Sequence, residues 1–452
     1  MKKTTNSFLK SQALVALIVL LFISVLNLDA QNPRLNKYTF AEGLTFSGNN
    51  DYSINLRGYV QPYAEIKNYT GNEEADNLTR FRLRRFRLRL TGDAEKYKID
   101  YRFQVDLSGS GEVGDEQAEL LLDAWVRYSI TRRTRITFGQ RATPTDNREL
   151  YMGSQTLQLV ERSRLTSAFA SIREFGVFYE GTYRLGPVAY LKPSVAITNG
   201  DGLNVYDSDF GGLKYGGRLD FLPFGLFTRF GQYRQVDMVR ENSPKLVIGG
   251  IYSINQGMTS RRGRTSGRFV YINDLNNNGE FDDGEGRLPD YTKYGIDFML
   301  KYKGFSMLGE FIKAEADVPD DINLRSDAYG PDYEVFISNF RGLSGADYAR
   351  SQMMLGQAFN IQAGYLFKNL WSIDGRYTYI DADKHSFLNN GTFYNRPEYY
   401  TIGLSKYFDR SYGIKVQGSF TYVDAAGGIN DINGDPIGGD EWIGRIITSL
   451  AF

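Results

Sequence analysis

The stretch Asn77–Ser108, NLTRFRLRRFRLRLTGDAEKYKIDYRFQVDLS, decides the fold. From Glu95 to Ser108 it alternates without a break. Tyr97, Ile99, Tyr101, Phe103, Val105 and Leu107 share one parity, against Lys98, Asp100, Arg102, Gln104, Asp106 and Ser108 on the other. Period two is the signature of a strand, whose successive side chains point to opposite faces. Strands of soluble proteins usually end after about five or six residues, whereas a tilted strand crossing a bilayer needs about 9–11. The first half also alternates: Arg80, Arg82 and Arg84 with Phe81 and Leu83, then Arg85, Arg87 and Arg89 with Phe86, Leu88 and Leu90. The phase slips between Arg84 and Arg85. A β-bulge absorbs such a slip and keeps all six arginines on one face. The stretch therefore reads as a transmembrane hairpin, with aromatic and aliphatic residues toward lipid and arginines toward a wet lumen. The turn is expected at Thr91–Ala94.

The rest of the composition agrees. The chain of 452 residues has 32 Tyr, 30 Phe and 48 Gly, no cysteine, and 53 basic against 53 acidic residues. Its mean hydropathy of −0.39 is compatible with a barrel, because only alternate residues of a barrel strand meet lipid. Lys2, Lys3 and Lys10 precede a 14-residue apolar run, Ala13–Leu26, then Asp29-Ala30-Gln31. That run is the length of a signal-peptide core, so residues 1–30 read as a signal peptide cleaved after Ala30. Removing them takes away three lysines and one aspartate, leaving 50 positive and 52 negative charges, a net of −2. No other run reaches the ~18 apolar residues of a spanning helix.

Residues 31–50 form a polar lead-in, and 51–452 an all-β, transmembrane antiparallel barrel. Alternation and turn residues mark strands beginning near Asp51 and closing with Trp442–Phe452. An irregular segment rich in Leu, Glu, Gln and Arg, Thr143–Ile172, interrupts them. Loops of that length inside a compact domain are usually functional. Short periplasmic turns and long external loops fix the parity. The count is 16 strands if Phe224–Asp237 is a periplasmic excursion, and 18 if that segment pairs with Gly267–Ile272.

These features together resemble the phosphate-selective porin O/P family. The residues carrying the resemblance are Phe81–Leu90 with Thr91-Gly92, Tyr101 with Gln104 and Asp106, Asp123-Ala124-Trp125-Val126, and Gly139-Gln140 with Pro144. Glu161-Arg162-Ser163, Arg173, Gly176, Gly181, Tyr294-Gly295 and Gly309-Glu310 continue it. The resemblance implies a 16-stranded outer-membrane barrel, often a homotrimer, with its third external loop folded inward as a constriction, here about 143–172. It also implies an arginine-lined path for small anionic solutes such as phosphate. Arg82, Arg84, Arg85, Arg87 and Arg89 are the candidates, extended by Arg133, Arg135 and Arg141, which share a parity. Asp100, Asp106, Asp123, Glu174, Glu180 and Asp374 also fall inward and are placed to pair with them. One sign of charge lining a pore selects ions at close range.

Independently, Asp274-Leu-Asn276-Asn-Asn278-Gly279-Glu280-Phe-Asp282-Asp-Gly-Glu285 satisfies D-x-[DN]-x-[DN]-G-x5-E. Asp274, Asn276, Asn278, Glu280, Asp282 and Glu285 would surround calcium with oxygen, Glu280 through its carbonyl and Glu285 through both carboxylate oxygens. The flanks are strand-like, so this is a calcium loop outside a helical EF-hand, in an external loop. The competing reading is an Asx-rich turn. An enzyme is not expected: the one histidine, His385, lacks a Ser/Asp constellation, and no zinc spacing, phosphate-cradling loop or nucleic-acid-binding signature is present. The alternative to a porin is a non-conducting structural or adhesive barrel.

Overall fold

The chain's computed structural model describes residues 34–48, 52–69, 78–110, 120–204, 211–264, 269–276, 284–327, 330–337, 342–389, 396–424 and 440–452. Residues 1–30, the expected signal peptide, lie outside these. Sixteen antiparallel strands close into a barrel. They are β1 (Tyr52–Tyr69), β2 (Leu78–Ala94), β3 (Ile99–Asp106), β4 (Leu121–Ser129), β5 (Thr134–Ala142), β6 (Arg173–Gly181), β7 (Ala189–Thr198) and β8 (Lys214–Leu222). The second half holds β9 (Lys245–Asn255), β10 (Asp290–Tyr302), β11 (Phe305–Asp317), β12 (Gly356–Leu366), β13 (Trp371–Ala382), β14 (Glu398–Tyr407), β15 (Ile414–Asp424) and β16 (Glu441–Ala451). Each pairs with its neighbours, and β16 returns to β1 in a register running from Glu441 opposite Tyr69 to Ala451 opposite Tyr59. Closure leaves no edge within the ring, which a bilayer requires. The lead-in adds a hairpin, Arg34–Thr39 with Gly43–Ser47, whose second strand pairs with the start of β1.

The arginine stretch folds as its pattern demands. Gln61 stands opposite Arg85 but Pro62 opposite Leu83, so Arg84 is the extra residue of a bulge. Arg84, Arg85 and Arg87 are consequently buried inside, while Phe81 is 83% exposed on the outer face. The turn sits later than expected. Thr91–Ala94 pair with β1 on one side and β3 on the other, which holds them extended. The chain reverses instead over the short 3-10 turn Glu95–Tyr97, with Lys98 left-handed at φ 58°.

The barrel has the expected 16 strands, and the alternative of 18 falls away. Phe269–Ile272 is a strand, but it pairs with Leu324–Asp327 in a separate three-stranded sheet completed by Gly330–Phe336. Phe224–Asp237 makes no strand. It turns through Thr228–Tyr233, where Arg229 and Phe230 adopt left-handed backbone. That sheet, the helix α3 (Gly345–Ser351) and Phe387–Asn389 pack over the external end of β10–β13. Tyr271, Tyr348, Met353, Met354, Phe387 and Leu388 share their hydrophobic cluster with Leu165 and Phe169 of the inward loop.

Candidate functional site

Thr143–Ile172 lies inside the barrel. It carries two short helices, α1 (Arg148–Tyr151) and α2 (Arg164–Phe169). Leu165, Ala168 and Phe169 are fully buried. Ser163 caps α2 by accepting from the Thr166 amide at 3.2 Å, and Glu149 receives the Ser163 amide and the Thr166 hydroxyl. Such caps satisfy amides that a helix start leaves orphaned.

Charge pairs and hydrogen bonds fasten this loop to one side of the wall. Arg148 donates to Asp220 and Asp297 at 2.7 Å each, and Arg218 bridges the same two aspartates. Lys293 holds Asp146 at 2.7 Å. Burial alone would raise the Asp146 carboxyl, but Lys293 and Lys214 outweigh it and hold it below its ordinary range. The Glu149 amide donates to Glu310 at 2.8 Å, and Gln158 reaches Ser306 at 2.7 Å. Lys415 donates to the Leu157 carbonyl, and Gln417 to that of Gln158. Glycine lets the loop lie this close: a Cβ at Gly249 would strike the guanidinium of Arg148 together with its wall neighbours Asp220 and Arg218, and one at Gly403 would strike Leu159.

A second segment enters from the periplasmic end. Between β8 and β9, the Gln235 amide donates to the Thr156 carbonyl, and its side chain bridges Gln158 and Glu149 at 2.7 and 2.9 Å. Lys301 and Tyr412 both donate to the Val236 carbonyl. The Tyr151 and Tyr233 rings, one from each inward segment, meet at 5.1 Å.

Among the described residues, two adjoining cavities of about 370 and 410 Å³ lie against β1–β7. Tyr151, Tyr233, Phe230, Arg102 and Asp123 border both. Among the described residues, the first cavity is lined by seven arginines and a single carboxylate, Asp123. Arg89 donates to the neutral Gln104 at 2.6 Å and stands directly opposite Arg57 in the register. Arg234 contributes from the periplasmic segment. The second cavity is lined by six arginines and Lys192, with Asp123 and Glu180 as its acids.

The structure distributes the sequence-derived arginines unevenly. Arg89 lines the first cavity, Arg133, Arg135 and Arg141 the second, and Arg87 the first while paired with Asp106 at 2.7 Å. Arg141 is bound to Glu180 at 2.6 Å. Arg84 and Arg85 are held by Glu161 of the inward loop, and Arg82 lies over the Tyr63 ring at 5.0 Å. Most of the inward acids find basic partners: Asp100 with Arg127, Asp123 with Arg173, Glu174 with Lys214. Arg57 and Arg102 were readable from strand parity. Arg234 was not, because its segment has no period.

In the candidate calcium loop, Asp274 and Glu285 are both buried, and the Leu275 amide donates to the Glu285 carboxylate at 3.0 Å. The ends of the loop are therefore brought together, with their two carboxylates on the inside. Asn276 is exposed, and Asn278, Glu280 and Asp282 lie outside the described residues.

A closed 16-stranded barrel with segments folded into its lumen and arginine-lined cavities beside them is the architecture of an outer-membrane porin. Residues 55–334, more than half of the chain, match the model of the family described as phosphate-selective porin O and P, and the chain belongs to that family. It is thereby a protein of the bacterial outer membrane. No curated protein matches it. Similar solved structures include a loop-deletion mutant of OmpT from Vibrio cholerae (10% identity, covering 89% of this chain and 100% of that one, TM-score 0.47). Others are the channel DcaP of Acinetobacter baumannii (11%, 91% and 100%, 0.44) and a mutant porin of Rhodopseudomonas blastica (13%, 88% and 100%, 0.38).

Proposed function

We propose that the chain is a passive porin selective for small anions, phosphate among them, which cross along the β1–β7 side of the lumen. The observation that carries this reading is the first cavity, where seven arginines meet one carboxylate. In a narrow lumen of low dielectric, such an excess concentrates anions and repels cations. The conducting arginines are Arg57, Arg89 and Arg102, with Arg133 and Arg135 at the periplasmic side. The test is the reversal potential of the purified protein in a planar bilayer under a KCl gradient, followed by phosphate titration. An anion-selective potential and a chloride current blocked by phosphate support the reading; a cation-selective or neutral pore overturns it. Absence of conductance would favour a structural or adhesive barrel.

Family resemblance also favours a homotrimer, tested by the mass of the detergent-purified protein. The buried carboxylates of Asp274 and Glu285, at the two ends of the loop, support calcium binding in the external loop, with a stiffening role. Calcium-dependent protection of that loop from protease, lost in Asp274→Asn, is the expected result. Equal cleavage with calcium and with chelator would sink it.

A further inference from the structure

We propose that Glu161 is a tethered counter-anion that makes the channel discriminate multiply charged oxyanions from chloride. This deepens, and rests on, the anion-porin reading. The β2 bulge turns two consecutive residues, Arg84 and Arg85, inward together. Glu161 of the inward loop lies on both: Oε1 is 2.6 Å from Arg84 Nε, and Oε2 is 3.3 Å from Arg84 Nη2 and 3.2 Å from Arg85 Nη2. A carboxylate forked by guanidinium is the arrangement in which such a pair would receive a permeant oxyanion.

Two observations separate this group from a simple anchor. The loop is already held at the same residue through its backbone, where Arg376 donates to the Glu161 carbonyl at 2.9 Å. Elsewhere it is pinned by Arg148, Asp146 and Gln158, none of which involves the Glu161 carboxylate. Moreover, the Glu161 side chain is 16% exposed while its partners are 5% and 1% exposed. Of the trio, the carboxylate is the member that a solute in the lumen can reach and displace.

Displacement sets the discrimination. With Glu161 lying across both guanidiniums, the site is closed to an anion that cannot take the carboxylate's place. Chloride offers one charge and no fork of oxygens, and cannot replace two charge-assisted hydrogen bonds. Hydrogen phosphate or a larger polyanion offers more charge and several acceptor oxygens, and can. No bond is made or broken in this exchange; one oxyanion substitutes for another.

The experiment compares Glu161→Gln, Glu161→Asp and Arg85→Ala with the unaltered protein, by bi-ionic reversal potentials in chloride and phosphate. Retention of heat-modifiable gel mobility confirms that each barrel is folded. Glu161→Gln should lower the phosphate-over-chloride preference about tenfold, ~1.4 kcal/mol, by admitting chloride. Glu161→Asp should keep most of the preference. Arg85→Ala should reduce permeation by both anions. If Glu161→Gln leaves the preference unchanged, or shifts both permeabilities in the same direction as Arg85→Ala, the carboxylate is only an anchor and the proposal fails. An unaltered channel without anion selectivity would instead overturn the reading on which it rests.

Discussion

The two halves of the barrel wall use charge in opposite ways. Along β8–β15 the inward polar side chains are consumed in holding the loop: Arg148 and Arg218 with Asp220 and Asp297, Lys293 with Asp146, Lys415 and Gln417 on loop carbonyls. Along β1–β7 arginines outnumber their acids and border open cavities. The difference is one of stoichiometry. Buried ions are tolerated where each is paired and hydrogen-bonded, and such pairs position rather than stabilise strongly. An arginine left in excess beside water has its charge available to a solute. One wall is a fastener and, on the proposed function, the other is a lane.

The largest expected effect comes from unfastening. Arg148→Ala should leave Asp220 and Asp297 with Arg218 alone and cost about 3–5 kcal/mol of local stability. The loop should then move off β8–β10, raising single-channel conductance and noise. Unchanged conductance would mean that the remaining contacts suffice. Next in size, Arg57→Ala with Arg89→Ala should shift the KCl reversal potential toward cation permeability, leaving thermal stability within about 0.5 kcal/mol. A stability loss without a selectivity change would place these arginines in the fastener. Gln235→Ala should be milder, costing about 1–3 kcal/mol for the polar groups it leaves unpaired. It uncouples the periplasmic segment from Glu149 and Gln158. Proteolysis of the segment from the periplasmic side, slow before and faster after substitution, is the readout.

The comparison also explains what the sequence could disclose. The lane was legible because strand parity is strict: Arg84 and Arg85 faced inward once the bulge was placed, and Asp106, Asp123 and Glu180 were readable as inward acids. The fastener was only half legible. Arg148, Asp146 and Gln158 sit in a loop with no period, and their partners lie tens to hundreds of residues away, as Gln417 does from Gln158. The periplasmic segment was readable as an excursion outside the barrel strands, but nothing in its local pattern indicates that Gln235 and Tyr233 reach the loop. Gly249 and Gly403 looked like ordinary strand glycines, although each marks where the loop presses on the wall.

The smallest effect is an expected constancy, and it probes the junction between lane and fastener. Burial alone would raise the Glu161 carboxyl, but the guanidiniums of Arg84 and Arg85 outweigh it and hold the group well below its ordinary value of 4.5. A carboxylate depressed in the folded state contributes stability above its unfolded value, and loses it only as pH falls through the depressed one. Between pH 7 and about 4.5, then, Glu161 stays charged and its contribution to selectivity should not vary. Below that window the contact's contribution to stability should begin to fall, because the unfolded chain takes up protons more readily than the folded one. Reversal potentials in a KCl gradient measured across this range, in the unaltered protein and in Glu161→Gln, should differ by a constant offset. An offset that vanishes already near pH 6 would mean that Glu161 is not held by both arginines in the membrane.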